Sequence, residues 1–106
     1  MNLYIVKYCA NECDDLGYDS PYPIYYSLNE NKARNFFEMK RVEAIDNFNE
    51  FINKHPQYQN NEDYCIEKNS TNELEYNMGK WFYRYEFCED EMDTDLRWKN
   101  SSVYIE

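Results

Sequence analysis

Residues 89–95 read Glu-Asp-Glu-Met-Asp-Thr-Asp, so five carboxylates crowd into one short run. Hard cations take several oxygens from one loop, and the spacing of Asp93 and Asp95 matches part of a calcium loop. The central glycine and the distal bidentate glutamate of such a loop are absent, so no metal site is expected here. The remaining chemistry is that of a surface. Glu86, Glu89, Asp90, Glu91, Asp93 and Asp95 would present negative charge to a basic partner, in the manner of phosphates. Asp14, Asp15 and Asp19 would form a second acidic patch.

Other reactive side chains are few. The four cysteines are Cys9, Cys13, Cys65 and Cys88. Only Cys9 and Cys13 lie close together, whereas a four-cysteine zinc site shows two tight pairs. Cys65 and Cys88 read as small buried residues on strands. The only histidine, His55, precedes Pro56 at an expected helix end, where an imidazole suits the helix dipole. No phosphate loop, nucleophile elbow, zinc-protease helix or dinucleotide fingerprint occurs. No catalytic residue and no cofactor are therefore assigned. Carboxylate pairs for acid–base work depend on distances in space, and 21 acids give no basis for choosing a pair.

Charge sharpens the surface reading. The 106 residues carry 11 Lys+Arg against 21 Asp+Glu, a formal net charge of -10. Direct nucleic-acid binding needs clustered cations and is not expected. Residues 31–56 are nearly neutral, with five bases and four acids, while residues 57–106 hold twelve acids against five bases. A field of that sign steers a basic partner toward the acid-rich segments. The twelve tyrosines add rigid rings with polar tips, which suit interfaces. Tyr18, Tyr22, Tyr25, Tyr26 and Tyr58 lie in or near expected loops and are the candidates for partner contact. Tyr83 and Tyr85 are expected in the core.

These residues need a scaffold. Hydrophobic content of 42% and aromatic content of 19% argue for a folded chain. No repeat or linker divides it, so residues 1–106 read as one domain. No apolar run approaches a membrane span. The first residues lack the pattern of a signal peptide, so a cytoplasmic protein with reduced thiols is expected. Leu3–Tyr8 and Ile24–Ser27 read as strands, with turn chemistry between them. From Glu30 to Lys54, Ala33, Phe36, Phe37, Ala44, Ile45, Phe48, Phe51 and Ile52 form one helical stripe. Met39 and Val42 oppose it, so a break near residues 40–43 is an alternative. Ser27 or Asn29 would cap the start, and Pro56 would end the helix. Tyr64–Lys68 reads as a strand and 69–77 as a polar connection. Lys80–Cys88 is the strongest strand, alternating Trp81, Tyr83, Tyr85 and Phe87 with Phe82, Arg84, Glu86 and Cys88. Residues 89–95 read as a loop, and Val103–Ile105 as a terminal strand. The expected fold is α+β, in the order β-β-α-β-β-β. An antiparallel-rich sheet of four or five strands would pack on one main helix.

Small size, strong acidity, abundant Asn, Lys and Tyr and the missing catalytic motifs resemble, in type, the anti-defence proteins of phages and mobile elements. Anti-CRISPR inhibitors, some of them DNA mimics, are among these. The resemblance implies a viral inhibitor acting in a bacterial cytoplasm as monomer or homodimer. Its partner would be a host protein with a basic nucleic-acid-binding surface, such as a CRISPR effector. The alternatives are a small enzyme or nucleotide-signal-binding protein working through carboxylates, and a structural phage protein.

Overall fold

The structure is a computed structural model that describes residues 2–12 and 21–91. It is α+β: a five-stranded antiparallel sheet and one main helix. The strands are β1 (Asn2–Glu12), β2 (Tyr22–Ser27), β3 (Tyr64–Asn69), β4 (Glu73–Met78) and β5 (Trp81–Glu91). The helix is α1 (Glu30–Lys54), followed by a short 3-10 turn over Pro56–Tyr58. Strand order across the sheet is β2-β1-β5-β4-β3. The two longest strands, β1 and β5, therefore lie inside and pair with one another from Asn2↔Glu91 to Glu12↔Trp81.

The helix is continuous, with no break at residues 40–43. Met39 and Val42 are exposed, so they sit on its solvent side and do not interrupt it. The Asn29 side chain accepts a hydrogen bond from the Lys32 amide and caps the first turn. Ser27, buried, accepts from the Asn29 amide and fixes the chain's entry into that cap. At the other end the His55 amide bonds back to Phe51 and Ile52, and Pro56 prevents continuation.

Two elements differ from the sequence reading. The stretch read as a polar connection contains β4, whose inward residues Leu74 and Tyr76 pair with Tyr85 and Tyr83. Glu73, Glu75 and Asn77 face the other side, and that polar alternation hid the strand. Glu89, Asp90 and Glu91 are likewise strand, not loop, because β1 starts at Asn2 and extends the ladder to meet them. The expected strand at 103–105 lies outside the described residues, as do Asp14, Asp15, Tyr18, Asp19, Asp93 and Asp95.

Helix α1 crosses one face of the sheet from edge to edge. Phe36 stacks on Tyr25 of β2, with ring centroids 4.4 Å apart. One residue on, Phe37 meets Phe87 of β5 at 6.1 Å. Phe48 meets Tyr76 of β4 at 6.2 Å, and Phe51 stacks on Tyr64 of β3 at 5.8 Å. The centre of this crossing is the core: Val6, Ala33, Phe37 and Phe87 are buried together. A second cluster, Leu3, Ile5 and Tyr26 with Cys88 against it, lies on the opposite face of the sheet.

Candidate functional site: a tyrosine corner on the helix face

A straight helix laid diagonally over a sheet leaves two corners. They are treated differently here. At one corner stand Leu74 and the turn joining β3 to β4. Arg34 and Arg41 reach it from the helix flank. Arg34 donates to the Thr71 carbonyl at 2.7 Å and to Asn72 at 2.9 Å, while Arg41 donates to Thr71 at 3.0 Å and to Asn69. Their guanidinium groups also lie over rings, Arg34 at 3.8 Å from the Phe87 centroid and Arg41 at 4.7 Å from Phe37. Leu74 is fully buried. This corner is closed.

Among the described residues, nothing spans the other corner, which is lined by tyrosines. Antiparallel pairing sets Tyr8 opposite Tyr85 and Tyr22, and Tyr76 opposite Tyr83, all on the helix face. Tyr8 and Tyr85 lie 4.7 Å apart, Tyr76 and Tyr83 stack at 4.9 Å, and Tyr22 meets Tyr8 edge-on at 6.0 Å. Trp81, at the start of β5, is 45% exposed, and Tyr22 is 53% exposed. Helical spacing brings Phe36, Lys40, Glu43 and Asn47 along the flank above them. Lys40 pairs with Glu43 at 3.9 Å. Between this flank and the sheet runs a cleft of about 220 Å³, lined by Ala44, Asn47, Phe48, Tyr76, Met78 and Tyr83.

Three of these phenols, Tyr8, Tyr76 and Tyr85, are held neutral. Burial pushes the Tyr8 hydroxyl up to about 12, with the neighbouring tyrosines adding to the effect. Burial raises Tyr76 further, again helped by the phenols around it and by Glu43. Tyr85 is raised by burial first and then by the Glu43 carboxylate. These groups stay protonated near neutrality and offer π faces and hydroxyl hydrogen bonds, not nucleophiles.

A second groove, about 490 Å³, lies beyond the helix's other flank. Phe48, Ile52, Tyr64 and Ile66 form its apolar part, and Asn60, Asn61 and Glu62 its rim. Beside it, Tyr58 stacks on Tyr64 at 4.1 Å.

Of the acids expected at a partner surface, Glu86 and Asp90 alternate with Glu89 along β5 and so lie on opposite faces of the sheet. Glu86 is on the sheet face away from the helix, and its carboxylate is 3.0 Å from Arg84. Arg84 also pairs with Glu73 at 2.7 Å and with Glu75. Burial alone would raise the Glu86 carboxyl. Hydrogen bonds from Cys88 and Arg84, with the charges of Arg84 and Lys7, outweigh burial and hold it below its ordinary value. Glu86 thus spends its charge inside the protein. Glu89 is exposed and accepts from the Asn2 side-chain amide, and Asp90 is half-buried.

The tyrosines sort differently from the sequence reading. Tyr26 is buried, 6% exposed, because the pleat of β2 turns it to the face opposite Tyr25. Tyr25 is half-buried under Phe36. Of the described set, only Tyr22 is exposed. Tyr85 packs against the core as expected but is half-buried, and Tyr83 is half-buried beside it, since the diagonal helix passes to one side of them. The alternation of β5 carried the signal for their shared face, but not for what covers it. Cys65 and Cys88 are on strands as expected, yet half-buried. Burial and the Glu86 carboxylate raise the Cys88 thiol to about 12, which keeps it unreactive.

Among the described residues no group of three or more His, Cys, Asp or Glu is placed to hold a metal ion. None of the described helices is long and apolar enough to cross a membrane. No family model matches the chain, and no curated protein or solved structure matches it either.

Proposed function

We propose that this chain is a non-catalytic binding protein that docks on a basic, nucleic-acid-handling surface of another protein and keeps nucleic acid off it. The observation that carries this reading is the open tyrosine corner in a molecule of net charge -10. Tyr8, Tyr22, Tyr76, Tyr83 and Tyr85 supply large, rigid contact area at little entropic cost, as interface anchors do. The overall negative field brings a basic partner to them at an enhanced rate. The raised phenol pKa values fit binding better than catalysis, because a neutral phenol donates a hydrogen bond and does not attack. Charge mimicry by Glu86 plays no part in this reading, since its carboxylate is tied to Arg84 within the protein. A CRISPR effector is one partner of this chemistry, in keeping with the resemblance to anti-defence proteins.

The test has two stages. The tagged chain captures a partner from bacterial lysate, and the partner is then purified and assayed for nucleic-acid binding with and without the chain. The expected result is a partner whose nucleic-acid binding falls as complex forms. A partner that binds nucleic acid equally well inside the complex would overturn the proposal.

A further inference from the structure

We infer that the sheet face opposite the helix is a seat for residues 92–106 of this same chain, whose apolar side chains dock on Leu3, Ile5 and Tyr26. The inference is independent of the binding function proposed above.

It starts from burial that the described elements do not produce. Leu3 is 0% exposed, Ile5 4% and Tyr26 6%, and all three point away from α1. A sheet face with no covering layer leaves its side chains partly in water. The far side of the same face behaves that way. Phe82, Arg84 and Glu86 of β5 and Glu73, Glu75 and Asn77 of β4 are all half-buried. Along β1, by contrast, burial continues from Leu3 through Ile5 to Cys9 and Asn11, with Lys7 half-buried between them. The cover therefore follows β1 and the adjoining end of β2, and stops short of β4.

Among the described residues, no element stands over that strip. Helix α1 packs on the other face through Phe36, Phe37, Phe48 and Phe51. Tyr58 returns the chain over Phe51 and Tyr64 on the helix side. The β3–β4 turn is held to the helix by Arg34 and Arg41. The burial is also that of one chain with no other chain against it, so the cover belongs to this chain.

Chain length selects the segment from residues 1, 13–20 and 92–106. A single residue is too small for the strip. The connection from Glu12 to Tyr22 spans about 35 Å at full extension. Leu3 lies nine residues back from Glu12, about 30 Å, and five from Tyr8, the partner of Tyr22, about 17 Å. A path through Leu3 is longer than that connection can make. Residues 92–106 start in the right place, because Glu91 pairs with Asn2 and Asp90 with Leu3. Fifteen residues reach about 50 Å when extended, more than the length of β1. They also carry the needed chemistry in Met92, Leu96, Trp98, Val103, Tyr104 and Ile105. Seated there, they close this face to a partner and leave the helix face for docking.

The experiment uses the full chain with Trp81→Phe, which leaves Trp98 as the only indole. Leu, Ile and Val methyls are labelled for NMR, and Leu3→Met and Ile5→Val assign the two resonances. Nuclear Overhauser contacts are expected from the Leu3 and Ile5 methyls to the Trp98 indole or to the methyls of Leu96, Val103 or Ile105. A mixture of labelled and unlabelled chains separates contacts within a chain from contacts between chains. Contacts only between chains assign the face to a second copy and overturn the proposal, as does the absence of any contact. Trypsin gives a second readout in the unaltered chain, by cleavage after Arg97 and Lys99. Docking is expected to slow that cleavage roughly tenfold or more relative to a synthetic 92–106 peptide, because a docked segment must open before it is cut. Leu96→Ser with Trp98→Ser is expected to restore the fast rate. Cleavage of the unaltered chain as fast as the peptide overturns the proposal too.

Discussion

The Arg34 guanidinium lies 3.8 Å from the centroid of the Phe87 ring and at the same time donates to the Thr71 carbonyl. One side chain therefore joins helix, central strand and hairpin turn. The helix has few other contacts with β3 and β4 near that turn, so the hairpin's attachment depends on Arg34 and its neighbour Arg41. Arg34→Ala is expected to cost about 1–2 kcal/mol through the lost cation–π and hydrogen-bond contacts. Hydrogen exchange should locate the effect. Amides of residues 69–74 are expected to lose protection while those of β1 keep theirs. Uniform loss across the sheet would contradict the clamp.

Burial grades the helix stripe. Phe37 is fully buried in the core, while Phe48 and Phe51 are half-buried beside grooves. Phe37→Ala is expected to cost about 3–5 kcal/mol, as buried aromatics do. Phe48→Ala is expected to cost clearly less, since part of its ring is already in water. Urea unfolding of the two variants side by side checks the order.

Gly79 opens the two-residue turn between β4 and β5 with φ +67°. A hairpin of this length needs positive φ at that position, which glycine adopts freely. A Cβ there would stand 2.8 Å from the Tyr64 hydroxyl as well. Gly79→Ala is expected to destabilise by about 1–2 kcal/mol from backbone strain alone. Chemical denaturation measures it, and Tyr64→Phe in the same background should recover the part due to the hydroxyl contact.

Two pH limits follow from the shifted groups. Glu86 is held below its ordinary value of 4.5, so it favours the folded state when ionised. That stability is present above pH 4.5 and is lost as pH falls through the lowered folded pKa. Arg84→Met, which removes the partner of three glutamates, is expected to flatten the acid limb of a melting-temperature profile.

The alkaline limb has the opposite origin. Tyr8 is raised from 10 to about 12, and Tyr76 and Tyr85 are raised too. The unfolded chain releases these phenolic protons first, so stability is full below pH 10 and falls as pH rises toward 12. Ultraviolet titration is expected to show a late-ionising class of tyrosines that joins the rest on unfolding. Tyr85→Phe should reduce that class. Simultaneous ionisation of all tyrosines in the folded protein would refute the burial of the corner.

Periodicity alone determined much of this molecule. The stripe from Ala33 to Ile52 specified amphipathic helix while leaving a break near 40–43 open, Ser27 or Asn29 and Pro56 marked its ends, and the alternation in Trp81–Cys88 specified a two-faced strand. Those are local patterns, legible because a helix repeats every 3.6 residues and a strand every two. Strand β4 was not legible, because Glu73, Glu75 and Asn77 make it polar until Leu74 and Tyr76 find a partner in β5. Charge composition likewise showed that the chain is acidic, but not which acids are free. Glu86 looks the same in sequence as Glu89, yet Arg84 claims the first and leaves the second exposed. The tyrosine corner belongs wholly to the tertiary structure. Tyr8, Tyr76 and Tyr83 come from three strands, and only antiparallel registry brings them together. The diagonal of α1 leaves Leu74 fully buried and these rings half-buried. A straight helix cannot cover every corner of a twisted sheet, and the angle at which it crosses is set by packing between distant residues.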